Sequence, residues 1–180
     1  MERTQVKEVT ELRSLARGHV LYFFEDYDRY LSNVEDFVIT GLKLNEYAVM
    51  IENDRWVRKI RNKLCESLEE RYLQKVAFIN NFDFYYAKGD FRVNSIFDFL
   101  PKVLDNYSEE NSVIRSWAHV EWRNEEEFQG KLLASEEAAD GIVSDSKILS
   151  VCAYDSDRAS QEFKAGLLAN HNYLLLDQKE

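Results

Sequence analysis

Apolar positions gather in six short runs, separated by stretches with a three-to-four-residue apolar period. The runs are 19–24, 47–51, 75–79, 113–122, 148–154 and 173–176. Each is nearly continuous rather than alternating, as strands buried on both faces are. Between them, Tyr30, Leu31, Val34, Phe37, Val38 and Leu42 predict a helix over about 28–44, capped by Asp26 or Asp28. Trp56, Ile60, Leu64 and Leu68 predict a second, capped by Asn53 or Asp54. A third starts at Asn94 or Ser95, carries Ile96, Phe97, Leu100, Val103, Leu104 and Tyr107, and is kinked or restarted at Pro101. Asn124 with Glu127 forms a capping-box-like start for a fourth, through Phe128, Leu132, Leu133 and Ala139 towards Val143. Phe163, Leu167 and Leu168 mark a fifth, capped by Ser156 or Asp157. The third strand run opens into Asn80–Tyr86 and a turn at Gly89.

Residues 1–17 are polar, with Val6, Val9, Leu12 and Leu15 at three-residue spacing. That stripe predicts a lead-in helix ending at Gly18, either packed on the domain or docking a partner. Residues 18–180 form a single domain, without repeat or linker. Strands alternating with helices imply right-handed parallel crossovers. The expected fold is α/β, a three-layer α/β/α sandwich around a mostly parallel sheet of about six strands.

Composition narrows the function. The 180 residues, 45% apolar with a single proline, fit one folded domain burying about 70% of its unfolded surface. A formal charge of −10 disfavours phosphate backbones, so nucleic acid is not expected as a partner. The densest basic stretch, Arg55, Arg58, Lys59, Arg61 and Lys63, has the spacing of a solvated helix face. Cys65 and Cys152 fit no metal or redox spacing. No signal peptide opens the chain and no apolar run approaches the roughly 18 residues of a membrane helix. A cytoplasmic protein with free thiols and no membrane association is expected.

In such sheets, ligands bind outside the carboxyl ends of the strands. Those ends carry Glu25, Asp26, Glu52, Asp54, Asn80, Asn81, Asp83, His119, Glu121, Asp155, Asp157 and Asp177. The first turn, Phe24-Glu25-Asp26-Tyr27-Asp28, has neither the glycines nor the lysine of a phosphate loop, which argues against ATP hydrolysis. Asp and Asn here are also what helix N-caps require. His119 and Glu121, two apart on a strand, share a face and could share an ion, whereas His19 lies at the amino end of its strand. A lone strand histidine is more often a hydrogen-bonded structural residue, so no metal or cofactor is expected. Cys152 with a histidine could form a nucleophile pair, yet a mid-strand cysteine between Val151 and Ala153 usually serves as a small hydrophobe. No Gly-x-Ser-x-Gly elbow is present. Phe82, Phe84, Tyr85, Tyr86, Trp117 and Trp122 either line a small-molecule cleft or fill the core.

The motifs His19-Val-Leu-Tyr-Phe-Phe-Glu-Asp26, Phe37-Val-Ile-Thr-Gly-Leu42, Tyr47-Ala-Val-Met-Ile-Glu-Asn53 and Val151-Cys-Ala-Tyr-Asp155, followed by His171, resemble the MEDS domain. That sensory domain is named for methanogens, methylotrophs and the regulator DcmR, and the likeness runs from about Gly18 to Asp177. The resemblance implies a RecA/KaiC-like fold that lacks the P-loop, and the sensing of small molecules such as hydrocarbon derivatives. It picks out His19, Tyr22, Glu25, Cys152, Tyr154 and His171 as matching the family pattern. With Asn80, Trp117, His119 and Glu121 from the strand ends, these are the candidate ligand-binding residues. No helix-turn-helix or kinase segment accompanies them, so a protein partner is expected to supply the output, with self-association open. The leading expectation is a non-enzymatic sensory domain in signal transduction, binding a small ligand, a partner or both. A pure interaction module is the alternative, and a metal-assisted hydrolase using His119 and Glu121 is third.

Overall fold

The computed structural model describes residues 4–15, 17–86, 113–126, 128–131 and 148–177. The expected helix over 94–107, the turn at Gly89 and the stretch from Leu132 to Val143 lie outside them. Seven strands form one sheet in the order β1-β7-β2-β6-β5-β3-β4. They are β1 (Thr4–Val6), β2 (Gly18–Phe24), β3 (Tyr47–Glu52), β4 (Val76–Asn80), β5 (Ile114–His119), β6 (Ile148–Asp155) and β7 (Tyr173–Leu175). Every pairing is parallel. The class is α/β, with seven strands where six runs are legible in the sequence.

The extra strand corrects the reading of the amino-terminal segment. Among the described residues of this segment there is a strand and a 3₁₀ helix where the stripe predicts a single helix. Thr4–Val6 pairs in parallel with Tyr173–Leu175 at the sheet edge, and Val9–Ser14 is a 3₁₀ turn. Three-residue spacing is the 3₁₀ period, in which i and i+3 eclipse, so Val9 and Leu12 still bury on one side. Gly18 is the first residue of β2, at φ 149°, with the Tyr173 ring where a Cβ would stand.

Helix α1 (Tyr27–Lys43) starts at Asp26, whose side chain accepts the Arg29 N–H. Helix α2 (Asp54–Ser67) starts at Asn53, which accepts the Trp56 N–H. A short α3 (Glu70–Leu73) leads to β4, and α4 (Asn81–Tyr86) occupies what reads as an irregular opening. Asn80 caps it through the N–H groups of Phe82 and Asp83. Helix α5 (Gln161–Ala169) is capped by Ser160, not by Ser156 or Asp157, because 156–158 forms its own 3₁₀ turn.

The pleat sends alternate side chains into two cores. Val20, Tyr22, Phe24, Met50, Trp117 and Val151 meet α1 and α2. Leu21, Val49, Ile51, Ala118, Cys152 and Tyr154 meet α4, Phe128 and α5. Complete burial of such side chains contributes about 1.5–3 kcal/mol each. Arg115 is the polar exception on the α1 face. Its stem passes over Gly41, where an added Cβ would stand 2.2 Å from Nε, and its head pairs with Glu46 and donates to the Phe37 carbonyl. Among the described helices none is long and apolar enough to cross a membrane.

Candidate functional site

The connections decide where a crevice opens. β2 runs into α1 and β3 into α2 on one face, whereas β5 leads to Phe128 and β6 to α5 on the other. The neighbours β2/β6 and β3/β5 therefore send their chains to opposite faces, and ligands of open α/β sheets bind at such switch points. Both switch points lie at the carboxyl edge of the sheet.

At the β3/β5 edge lies a buried charged network. Glu52 closes the apolar run of β3 with no exposed surface, and His119 closes β5 at 1% exposure. His119 Nδ1 stands 2.6 Å from Glu52 Oε1. Oε1 also accepts the Asn53 backbone N–H at 2.8 Å, and Oε2 accepts the Tyr30 hydroxyl. Tyr30 in turn accepts the indole N–H of Trp117 at 3.1 Å. Donors thus run Trp117 to Tyr30 to Glu52, and imidazole closes the other side. Burial, then Glu52, pushes the Tyr30 hydroxyl well above its ordinary range, so it stays a donor. Burial alone would depress His119. The Glu52 hydrogen bond and the charges of Glu52, Glu121 and Asp155 outweigh it, and the proton affinity of the imidazole is raised.

Glu121 continues the network outward. Burial would raise its carboxyl, but His119, the Asn53 and Asn81 amides and Arg158 hold it below the usual range. Its Oε2 accepts Asn53 Nδ2 at 2.9 Å and Asn81 Nδ2 at 2.8 Å. The same Asn81 nitrogen reaches the His119 carbonyl at 3.1 Å. Reversing the amide would face oxygen with oxygen, so this orientation is fixed chemically. It leaves Asn81 Oδ1 buried with no hydrogen-bond partner.

Tyr27, the first residue of α1, lies at the same edge. Its ring stacks on Trp56 at 4.6 Å, and its hydroxyl donates to Asp155 at 3.3 Å. Burial, then Asp155, pushes that hydroxyl up to about 12.

A second cluster sits on the opposite face, towards the amino end of β2. His19 Nε2 is 3.3 Å from Cys152 Sγ, and the His19 and His171 rings stack at 3.9 Å. His171 Nδ1 donates to the Leu167 carbonyl at 2.8 Å. All three residues are buried.

The ten residues singled out in the sequence thus separate. His19, Cys152 and His171 meet, and so do Trp117, His119 and Glu121, but the two groups face opposite ways. Tyr22 packs behind the second of these groups, edge-on to Trp117 at 5.6 Å and stacked on Tyr30, while its hydroxyl donates to Asp177 and accepts from Asn33, both at 2.8 Å. Glu25 has an exposed side chain, and its backbone N–H binds Asp177. Asn80 caps α4 and bonds Asp54, while Tyr154 packs against Trp122 and Phe163. Tyr30 and Asn53 are network members missing from the sequence reading, which places one in the core and the other at a helix cap. Glu52 appears there only as one of many rim acids. Its signal was a carboxylate ending a strand otherwise apolar on that face.

Both clusters have metal-ligand spacing, with donor atoms within 4.8 Å of one another. In the charged one, Glu52 already accepts three donors, and a raised proton affinity at His119 opposes the neutral imidazole a metal needs. The basic stretch of α2 is a solvated face, as Arg55, Arg58, Lys59 and Arg61 are exposed, with Arg55 and Lys59 over the Trp56 ring.

The family model MEDS, described as the MEthanogen/methylotroph, DcmR Sensory domain, matches residues 18–172. No curated protein matches the chain at a significant level. The match takes in every strand from β2 to β6, both switch points and all three residues of the second cluster, and the chain belongs to the MEDS family of sensory domains.

Proposed function

We propose that this sensory domain binds a small organic molecule carrying an amine or hydroxyl at the carboxyl edge of the sheet, and passes the signal to a protein partner. Asn81 carries the reading. A buried amide oxygen without a partner costs about 1–3 kcal/mol, and a ligand N–H or O–H beside Glu121 would remove that penalty. The carboxylates of Glu121 and Asp155 favour donors or cations over anions, and the Tyr27–Trp56 pair offers apolar surface to the remainder of the molecule. The described residues of this edge supply no activated nucleophile and no oxyanion donors, which favours sensing over turnover.

A panel of small amines and alcohols, read by thermal shift and calorimetry, tests this. A ligand held at 100 times its dissociation constant stabilises by about 2.7 kcal/mol. The expected result is stabilisation of the wild type that is largely lost in Asn81→Leu and Glu121→Gln. If nothing in the panel stabilises the wild type, or both variants respond equally, the site assignment falls.

A further inference from the structure

We propose that His19, Cys152 and His171 form a binding site for a thiophilic transition-metal ion of the Zn(II) or Cu(I) class. It is independent of the ligand reading above, lying on the other face of the sheet. Leu21 pairs with Cys152 across β2 and β6, so His19, two residues earlier, projects to the same face as Cys152. His171 arrives from the far end of α5. The Asn172 N–H donates to the His19 carbonyl at 3.0 Å, and Asn172 Oδ1 accepts the His19 N–H at 3.1 Å. The loop carrying one imidazole is therefore fastened to the strand carrying the other.

Three features make this a ligand set. The donors are one sulfur and two imidazole nitrogens within 4.8 Å of each other, the softness that selects zinc and copper over magnesium or calcium. Tetrahedral zinc, with bonds near 2.3 Å to sulfur and 2.05 Å to nitrogen, separates its S and N ligands by about 3.5 Å. His19 Nε2 and Cys152 Sγ are 3.3 Å apart. The third feature is the tautomer of His171. A carbonyl only accepts, so Nδ1 carries the proton donated to Leu167, which in the neutral imidazole leaves the Nε2 lone pair for a metal. That outer hydrogen bond is how metal-bound histidines are oriented. The Leu167 carbonyl also lies in the last turn of α5, where the helix dipole favours a cation. Binding replaces the Cys152 S–H by S–M and releases that proton to solvent. Three protein ligands leave a fourth position for water or an exogenous donor. The rings, tilted by 30°, must open further for both nitrogens to converge.

Titration of the reduced, metal-free chain with Co(II), followed by optical spectroscopy, tests the site. The expected result is saturation at one ion per chain, with a sulfur-to-cobalt charge-transfer band and tetrahedral d–d bands that Zn(II) displaces. Cys152→Ser should lose the charge-transfer band, and His171→Ala should bind on the order of a hundredfold more weakly. Cys65→Ser should be unchanged, because Cys65 is exposed and remote. Circular dichroism of each variant separates loss of binding from loss of fold, and His171→Gln gives a second probe where Cys152→Ser does not fold. Absence of the charge-transfer band in the wild type, or its persistence in a folded Cys152→Ser, overturns the site.

Discussion

Two polar clusters occupy opposite faces of one sheet, each centred on histidine, and they are held by different forces. The Glu52–His119–Glu121 cluster is charge-assisted throughout. Glu52 alone takes the Tyr30 hydroxyl, the Asn53 N–H and the His119 imidazole. The His19–Cys152–His171 cluster, among the described residues, is assembled by ring stacking, a sulfur contact and a backbone clamp at Asn172. A buried charge must be matched at once or the fold fails. A cluster of soft donors can exist in two states, with and without a bound ion. The contrast assigns architecture to the inner part of the first cluster and exchangeable binding to the second.

The harshest way to break that contrast is Glu52→Ala. It would leave the buried His119 imidazole without the carboxylate that does most to raise its proton affinity, and the Tyr30 hydroxyl and Asn53 N–H without their acceptor. Removing one partner of a buried charged pair costs about 3–5 kcal/mol. Chemical denaturation is expected to show a loss of that order. A loss below about 1 kcal/mol would mean that the network is not what secures the β3/β5 edge.

A gentler probe is pH. In the unfolded chain His119 titrates near 6.5, and in the fold it holds its proton more strongly. Its contribution is therefore fully present below pH 6.5 and declines as pH rises through the folded value. Each tenfold difference in proton affinity is worth about 1.4 kcal/mol. The stability difference between wild type and His119→Gln should shrink with rising pH above 6.5. A difference that is flat or grows over that range would show that His119 folds as the neutral imidazole.

How far these sites are legible in the sequence depends on what brings their residues together. Strand and helix positions followed from hydrophobic period because each element buries a continuous run. β1 escaped because three residues with only Val6 buried give no period, and pairing with β7 is a tertiary event. His119 and Glu121 were legible as a pair because they are two apart along one chain direction. Their partner Glu52 was visible only as a strand-end acid, since nothing local says that β3 will lie beside β5. The His19–Cys152–His171 cluster depends still more on strand order. β6 inserts next to β2 across 133 residues of chain, so residues matching a family pattern come together only through topology. Asp26 and Asn53 were readable as caps and act as caps, because capping is local.

The smallest expected effect concerns the metal-free second cluster. Cys152→Ala removes one buried sulfur from a site at 8% exposure, packed in the α5-side core beside Leu21 and Tyr154. A cysteine buried in such a place acts as a small hydrophobe, and its truncation should cost about 1 kcal/mol. Cys65→Ser, at an exposed position, should stay within about 0.5 kcal/mol. Denaturation in the presence of a chelator measures both against Glu52→Ala. If metal-free Cys152→Ala instead loses as much as Glu52→Ala, the sulfur is bound into its surroundings as tightly as the buried carboxylate. The second cluster would then be a fixed structural element, and the division between an architectural face and an exchangeable one would no longer hold.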